Sequence, residues 1–567
     1  MSGLKKSITL MWLVSWAAIG LFSHRANAVE RIHGTNRNYQ QGDWITWSAT
    51  RFVRDLAIGD QYIYFATTGG ITRYNFFSDK WDFPWTISNG LASNDIFIVG
   101  LDFATGYLWC VHNDGLAYLE PASQLWNNVY YDELPFWSDE TINSIGFGDF
   151  QVYLVTSQNR LFVSTNTQAN FYLSDQPAIL NSAKDESEII QWHGLLAPRQ
   201  PKLVNLFMTD GYFFDENKRL ISDIRFRRYP ITCWAFDKWR KVWLGTWGLG
   251  AGRGDLNSIR LDLLSHGLWD ETVDAIARDR DRFWLGGVPD HDEPSGVTDW
   301  NPGDQSALYY EPNQLTGFDN DRITAIAVDG DIVWFGTQDG LTRFDRNRNN
   351  WRTLTVVDNL VGNFIHDIVI DKDNIWAATS QGVSRLNKAP WGSDSLRIRH
   401  VMYPSLGEIT VYDLEKQLNL LWMATEYGIF VYDTEADSGG FYKGVEGPSD
   451  QEIFAVSCYG NEVWFGTEAG VAALNVDTKN WLTPPAKMNN TDAGINRILA
   501  ARDAVWVATN SGVLKYDRAG ERWVHYTVMD GLPDDQVYSL CLDGDYIWFG
   551  TARGLTRFYW NSPWRMD

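Results

Sequence analysis

Cysteine is scarce in this sequence, with four residues in 567, none in a C-x-x-C pair. Cys110, Cys233, Cys458 and Cys541 each sit in a separate strand-like apolar run, so a disulfide framework and a zinc site both lack support, and four buried free thiols are expected. Histidine is also sparse, at nine. Positive charge is in deficit: 48 Lys and Arg against 71 Asp and Glu give a net charge of −23. That balance excludes nucleic acid, whose binding rests on cationic contacts to phosphate, and disfavours anionic membrane surfaces. Long apolar runs are missing after the first 28 residues, so no integral membrane segment is expected in the mature chain. Helical periodicity is missing too, which excludes helical solenoids.

The first 28 residues differ from the rest. Lys5 and Lys6 precede the apolar stretch Ile8 to Phe22, and Ala26-Asn27-Ala28 is a small-x-small cleavage site. This order predicts a signal peptide over 1–28, a mature start near Val29 and a periplasmic or secreted location.

What is abundant is aromatic: 29 Trp, 25 Tyr and 29 Phe. Much of the tryptophan is periodic. Trp334-Phe335-Gly336-Thr337 recurs at Trp464 and Trp548, with close variants at Trp243, Trp376, Trp422 and Trp506, and weaker ones at Tyr64, Trp109, Tyr153, Leu206 and Trp284. One repeat reads as four short strands: Ile323 to Val328, Ile332 to Thr337, Leu341 to Asp345 and Trp351 to Val356, with tight turns at Gly330 and Gly340. Short strands with glycine turns, recurring every 40–45 residues, predict an all-β propeller of about twelve four-stranded blades. Such a number exceeds one ordinary ring, so two six-bladed rings are expected, 29–312 and 313–567, divided near the insertion at 288–312; one large ring is the alternative. The last repeat ends after three strands, and Trp44-Ile45-Thr46-Trp47 matches the fourth-strand sequence Trp523-Val524-His525-Tyr526. The N-terminal strand 44–48 is therefore expected to close the last blade and to cover its open edge. The anchor Trp residues should pack between blades, and the recurrent Thr should bond backbone at the hairpin.

The pattern from Trp334 to Asp345, with later loops such as Asp530-Gly531-Leu532-Pro533, resembles the two-component regulator propeller repeat. That family forms the extracytoplasmic sensor of bacterial hybrid histidine kinases, and similar propellers occur in surface secretion machinery. The resemblance implies a sensor or binding propeller, here a stand-alone member.

Function on a propeller sits on loops grafted to a regular scaffold. Loops joining strands two to three, and strand four to the next blade, share one face. Trp137, Trp247 and Trp269 fall in such loops, with the acids Asp139, Glu140, Asp270, Glu271, Asp319, Asp321, Asp534 and Asp535. Trp platforms beside carboxylates suit sugars and organic cations. The ligand-binding set is Trp137, Trp247, Trp269, Asp270 and Glu271. No catalytic residue, metal ligand or cofactor is assigned. Asp290-His291-Asp292-Glu293 is one local acidic loop, and Arg253-Gly254-Asp255 is a short tripeptide of the kind that arises by chance. His112 and His366 have no nucleophile beside them. The expected function is non-enzymatic recognition of an oligosaccharide or a cell-envelope protein. The alternatives are a carbohydrate-active hydrolase or lyase, and a scaffold in a surface or secretion assembly.

Overall fold

A computed structural model describes residues 39–567 except 149, 166–168, 175–189, 198–202, 204–205, 210, 289–294, 313–314, 316, 319–321, 389–395, 402–408, 444–447, 449–450, 483–493 and 564–567. The signal-peptide segment therefore lies outside the described residues. The described chain is all-β. Its helices are short 3-10 turns such as Ile87–Asn89 and Val356–Asp358, and none is long and apolar enough to cross a membrane.

The repeat at 323–354 shows why the sequence folds this way. Ile323–Asp329, Ile332–Thr337, Leu341–Asp345 and Asn350–Leu354 pair antiparallel in chain order. The Thr337 hydroxyl donates to the Gly340 carbonyl at 2.9 Å and accepts the Asp339 N–H at 3.2 Å, which ties the hairpin off. Gly340 takes a φ of +151°, and a Cβ there would meet the Leu354 carbonyl oxygen at 2.4 Å. The same Thr-to-Gly bond recurs at Thr67, Thr246, Thr379, Thr425, Thr467, Thr509 and Thr551. The anchor Trp faces the next sheet: Trp334 packs with Ile365, Ile368 and Ile375, and Trp422 with Ile453, Val463 and Phe465. Each such indole is almost wholly buried. Its removal would cost about 3–5 kcal/mol, the range for emptying a large aromatic site.

Eleven sheets form among the described residues, in keeping with about a dozen blades. Leu206, one of the weaker anchors, is not in a second strand. It packs with Leu203, Val242 and Leu261, beside a two-residue strand that runs parallel to Arg260–Leu264. That strand, with the short strands Phe213–Phe214 and Leu220–Ser222, makes the sheet around Trp243 seven-stranded.

The first strands of seven sheets touch in order: 275–279, 323–329, 365–370, 411–417, 453–459, 495–500 and 537–543, the last touching 275–279 again. These seven form a closed ring. The other four sheets lie at 53–85, 96–130, 142–194 and 207–264. Their innermost strands run from Arg228–Phe236 to Val53–Ile58, to Ile96–Leu101, and on to Ile142–Gly148 and Gln191–Gly194. This grouping of four and seven differs from six and six. The insertion at 288–312 expected to mark the boundary falls inside a sheet: it contains Val297–Trp300, which pairs with Arg282–Gly286, and Ala307–Tyr310, which pairs with Val297–Trp300.

The N-terminal strand Trp44–Trp47 is the outer strand of the last sheet, with Trp44 opposite Phe558 and Trp47 opposite Leu555. Trp44 stacks on Phe558 with 3.9 Å between centroids. Trp47 is buried beside Trp548 and Trp300, its indole N–H donating to Gln305 at 2.6 Å. The chain then crosses directly to the four-sheet group. The Arg51 carbonyl accepts the N–H groups of Gly248 and Gly250, and its guanidinium donates to the Trp269 carbonyl at 3.0 Å.

Candidate functional site

The five residues read as a binding set occupy three different environments. Trp137 is 63% exposed and lies under the Arg160 guanidinium, 3.9 Å from the ring centroid. Its loop is fastened by Glu140, which accepts the Trp137 N–H at 2.9 Å and pairs with Arg160. The hydrogen bond from Arg160 pulls the Glu140 carboxyl down to about 2. Trp247 is half-buried against Phe52, at 5.0 Å, with the Arg54 guanidinium 5.7 Å from its ring.

Trp269 is only 5% exposed, covered by the Arg51 guanidinium at 4.3 Å and by Tyr309. Asp270 is buried, accepting from the Ser295 hydroxyl at 2.5 Å and the Gly296 N–H at 3.2 Å, and burial pushes its carboxyl up to about 7. Glu271 is half-buried beside it. The structure thus brings Trp247 and Trp269 to the two sides of the segment 51–54. Trp137 stays on a separate loop.

The remaining motifs resolve simply. Arg253-Gly254-Asp255 lies within the strand Ala251–Asp255, with Arg253 paired to Asp79. His112 is buried; His366 is half-buried between Phe364 and Tyr412, and burial pushes it down to about 4. Residues 290–293, 319 and 321 lie outside the described residues. All four cysteines are free thiols. Among the described residues no group of three or more His, Cys, Asp or Glu is placed to hold a metal.

One feature escaped the sequence reading. The four innermost strands of the four-sheet group line an open cavity of about 750 Å³. A volume of several hundred Å³ with apolar walls and a few polar groups is the usual form of a small-molecule site. Strand Arg228–Phe236 forms one wall, and from Ile231 onward none of its residues is buried. Arg54 stands at the rim, its guanidinium 4.2 Å over Phe97 and facing Trp247, which connects the sequence-derived Trp247 to the cavity. Asp55 accepts the N–H groups of Leu56 at 2.9 Å and Val99 at 3.2 Å, while burial pushes its carboxyl up to about 7. His193 is buried in the opposite wall and pushed down to about 4 by desolvation. At the far end Phe103 is 55% and Trp239 44% exposed, beside a loose Lys238–Asp60 pair at 3.8 Å. A signal did exist. Trp234 stands opposite Leu244, the residue after the anchor Trp243, at the place that Leu56, Ile368 and Leu414 fill with aliphatic side chains in other first strands.

The seven-sheet ring has a different centre. Arg497 on one first strand reaches Asp367 at 3.0 Å and also pairs with Asp413, on first strands two and three sheets away. Asp367 and Asp413 each accept an N–H from the next first strand, Leu414 and Val456.

Residues 531–553 match the two component regulator propeller family. The chain is similar to the extracellular domain of the hybrid two component system BT4673 from B. thetaiotaomicron, with 16% identity, a TM-score of 0.46, and coverage of 90% of this chain and 76% of that one. It is also similar to PorZ, a surface component of the type-IX secretion system of Porphyromonas gingivalis, with 14% identity, a TM-score of 0.45, and coverage of 90% and 74%. The extracellular domain of the hybrid two component system BT3049 from B. thetaiotaomicron has 16% identity, a TM-score of 0.41, and coverage of 92% and 76%. No curated protein matches the chain.

Proposed function

We propose that this chain is an exported, extracytoplasmic binding propeller that recognises its ligand without turning it over. The ligand enters the cavity at the centre of the four sheets between 53 and 264, and residues 1–28 direct export. The cavity itself carries this reading: Trp234, Trp239, Phe97 and Phe103 offer ring faces, with Thr232, Gln191 and Arg54 among them for hydrogen bonds. Aromatic faces interleaved with polar groups suit a short oligosaccharide, which stacks its C–H face and donates hydroxyls. Trp247 acts through Arg54 at the rim. Trp269 supports the site from behind by holding Arg51, and Asp270 ties the same loop to Ser295 and Gly296. Trp137 and Glu271 remain as a second contact and a flanking acid.

The test is calorimetry of residues 29–567 against a panel of oligosaccharides, with Trp234→Ala and Trp247→Ala. Binding should weaken by about 1–3 kcal/mol in Trp234→Ala, the range of an aromatic hot spot, and less in Trp247→Ala, with circular dichroism unchanged. Binding that survives Trp234→Ala undiminished would move the site elsewhere. Appearance of cleaved product would replace recognition by hydrolysis.

A further inference from the structure

A second concavity, of about 530 Å³, lies far along the chain from the first, between the sheet at 495–526 and the last sheet. It is rich in cations in a protein whose net charge is −23. Arg502, Lys515 and Arg518 line it, with Trp560 and Ser562 from the last sheet's end. Lys515 is buried, its ammonium 5.7 Å from the Trp506 ring and 5.3 Å from the Trp560 ring. Arg518 is fixed in place by bonds from Nε to the Ala501 carbonyl at 2.9 Å and from Nη1 to Glu462 at 2.6 Å. Its Nη2 is buried without a hydrogen-bond partner. The Ser562 hydroxyl is likewise without a partner, in a residue only 6% exposed. Arg502 is exposed and makes no ion pair among the described residues. Asp503 and Asp517 also line the groove; Asp517 faces Arg522 at 3.9 Å and accepts the Ala519 N–H.

The matching groove between the sheets at 365–400 and 411–441 shows what is different here. There the third-strand cation Arg385, opposite Trp376, is answered by Asp437 of the neighbouring sheet at 3.1 Å. Here the neighbouring sheet brings Trp560, Asn561 and Ser562 to the groove beside Lys515. Buried donors without acceptors are costly, and two in one cationic groove call for an acceptor from outside.

We propose that this groove binds an oxyanion, a sulfate or phosphate group, either free or esterified to a sugar ring that lies on Trp560. Arg518 Nη2 and the Ser562 hydroxyl donate to the oxygens, and Arg502 and Lys515 supply charge. Guanidinium and hydroxyl donors on a rigid frame match a tetrahedral oxyanion, and charge-assisted hydrogen bonds are the stronger class.

Calorimetry of residues 29–567 with inorganic sulfate, inorganic phosphate, glucose 6-sulfate and glucose tests it, at constant ionic strength in chloride. The anions should bind and glucose should not. Arg502→Ala and Ser562→Ala should each weaken the anions about tenfold, one lost charge-assisted contact, and Arg502→Ala should preserve the melting temperature because Arg502 is exposed. Glucose 6-sulfate binding more tightly than sulfate, with the difference lost in Trp560→Ala, identifies the ester as ligand; equal affinities identify the free ion. No binding of any anion, or binding indifferent to both Arg502→Ala and Ser562→Ala, overturns the proposal.

Discussion

At the centre of the four-sheet group the innermost strands stand apart around a cavity. At the centre of the seven-sheet ring one guanidinium crosses to carboxylates on two other sheets. The repeat is the same in both, down to the bulge at the second residue of the first strand, seen at Arg54 as at His366 and Tyr412. What differs is the residue after that bulge and how it is answered. Asp55, Asp367 and Asp413 hold equivalent places, and each accepts an N–H from the next first strand. Only the ring puts an arginine, Arg497, at that place to reach the others. A fixed blade can therefore be made to close its axis or to leave it usable by a single position per repeat, while the packing between blades stays untouched.

The largest expected effect comes from unmaking the ring's closure. Trp47→Ala removes an indole buried among Trp300, Trp548 and Leu555. Urea unfolding should show a loss of about 3–5 kcal/mol, and the loss should fall on the ring, leaving ligand binding in the cavity intact. A loss below ~1 kcal/mol, well under the cost of an emptied core site, would mean that the closing strand is held by its backbone alone.

Next in size is Arg497→Ala, which leaves Asp367 and Asp413 facing each other with no cation between them. Its cost should be about 3 kcal/mol, as for breaking a largely buried pair by removing one partner. The combination Arg497→Met, Asp367→Asn and Asp413→Asn should lose less than Arg497→Ala alone. If the combination loses more, the charges stabilise the ring outright and the axis is more than a lock.

The smallest effect is in pH dependence. Burial, together with the nearby Asp367, pushes Glu415 up to about 7, from an ordinary 4.5. The folded state therefore holds this proton more tightly than the unfolded chain. That contribution is complete below pH 4.5 and fades as pH rises through about 7. Glu415→Gln should narrow the difference in melting temperature between pH 5 and pH 8, while the corresponding change in the cavity wall, Asp55→Asn, alters binding as well as stability. An unchanged pH difference in Glu415→Gln would show that the carboxyl is hydrated.

How much of this was legible follows from the range of the interactions. The anchors and hairpin threonines are local and periodic, so Trp334 and Thr337 announce their roles within a dozen residues. The closing strand was legible because it repeats a pattern whose own blade lacks it. The ring's lock was not, since Arg497 and Asp367 are 130 residues apart and neither breaks the repeat. Trp269 stood out of phase with the anchors, which made it look exposed; Arg51, from the segment that follows the closing strand, covers it. The insertion at 288–312 looked like a boundary because extra length reads alike whether it separates two rings or lies within one sheet, as it does before Val297–Trp300. The cavity was hardest, being a place where neighbouring strands fail to fill space.

The strand at 44–47 has a kinetic consequence. Among the described strands it is the first in chain order, and its partner at 554–559 is the last, with the Thr46 and Thr556 hydroxyls bonded across a separation of 510 residues. Closing so long a loop costs entropy that grows only as the logarithm of its length, but contacts this remote form slowly. The ring therefore cannot reach its final state before the strand 554–559 has been synthesised. Until then Trp44 and Trp47 have no native surface to cover. A nascent chain carries this clasp open for as long as it takes to make everything between its two halves.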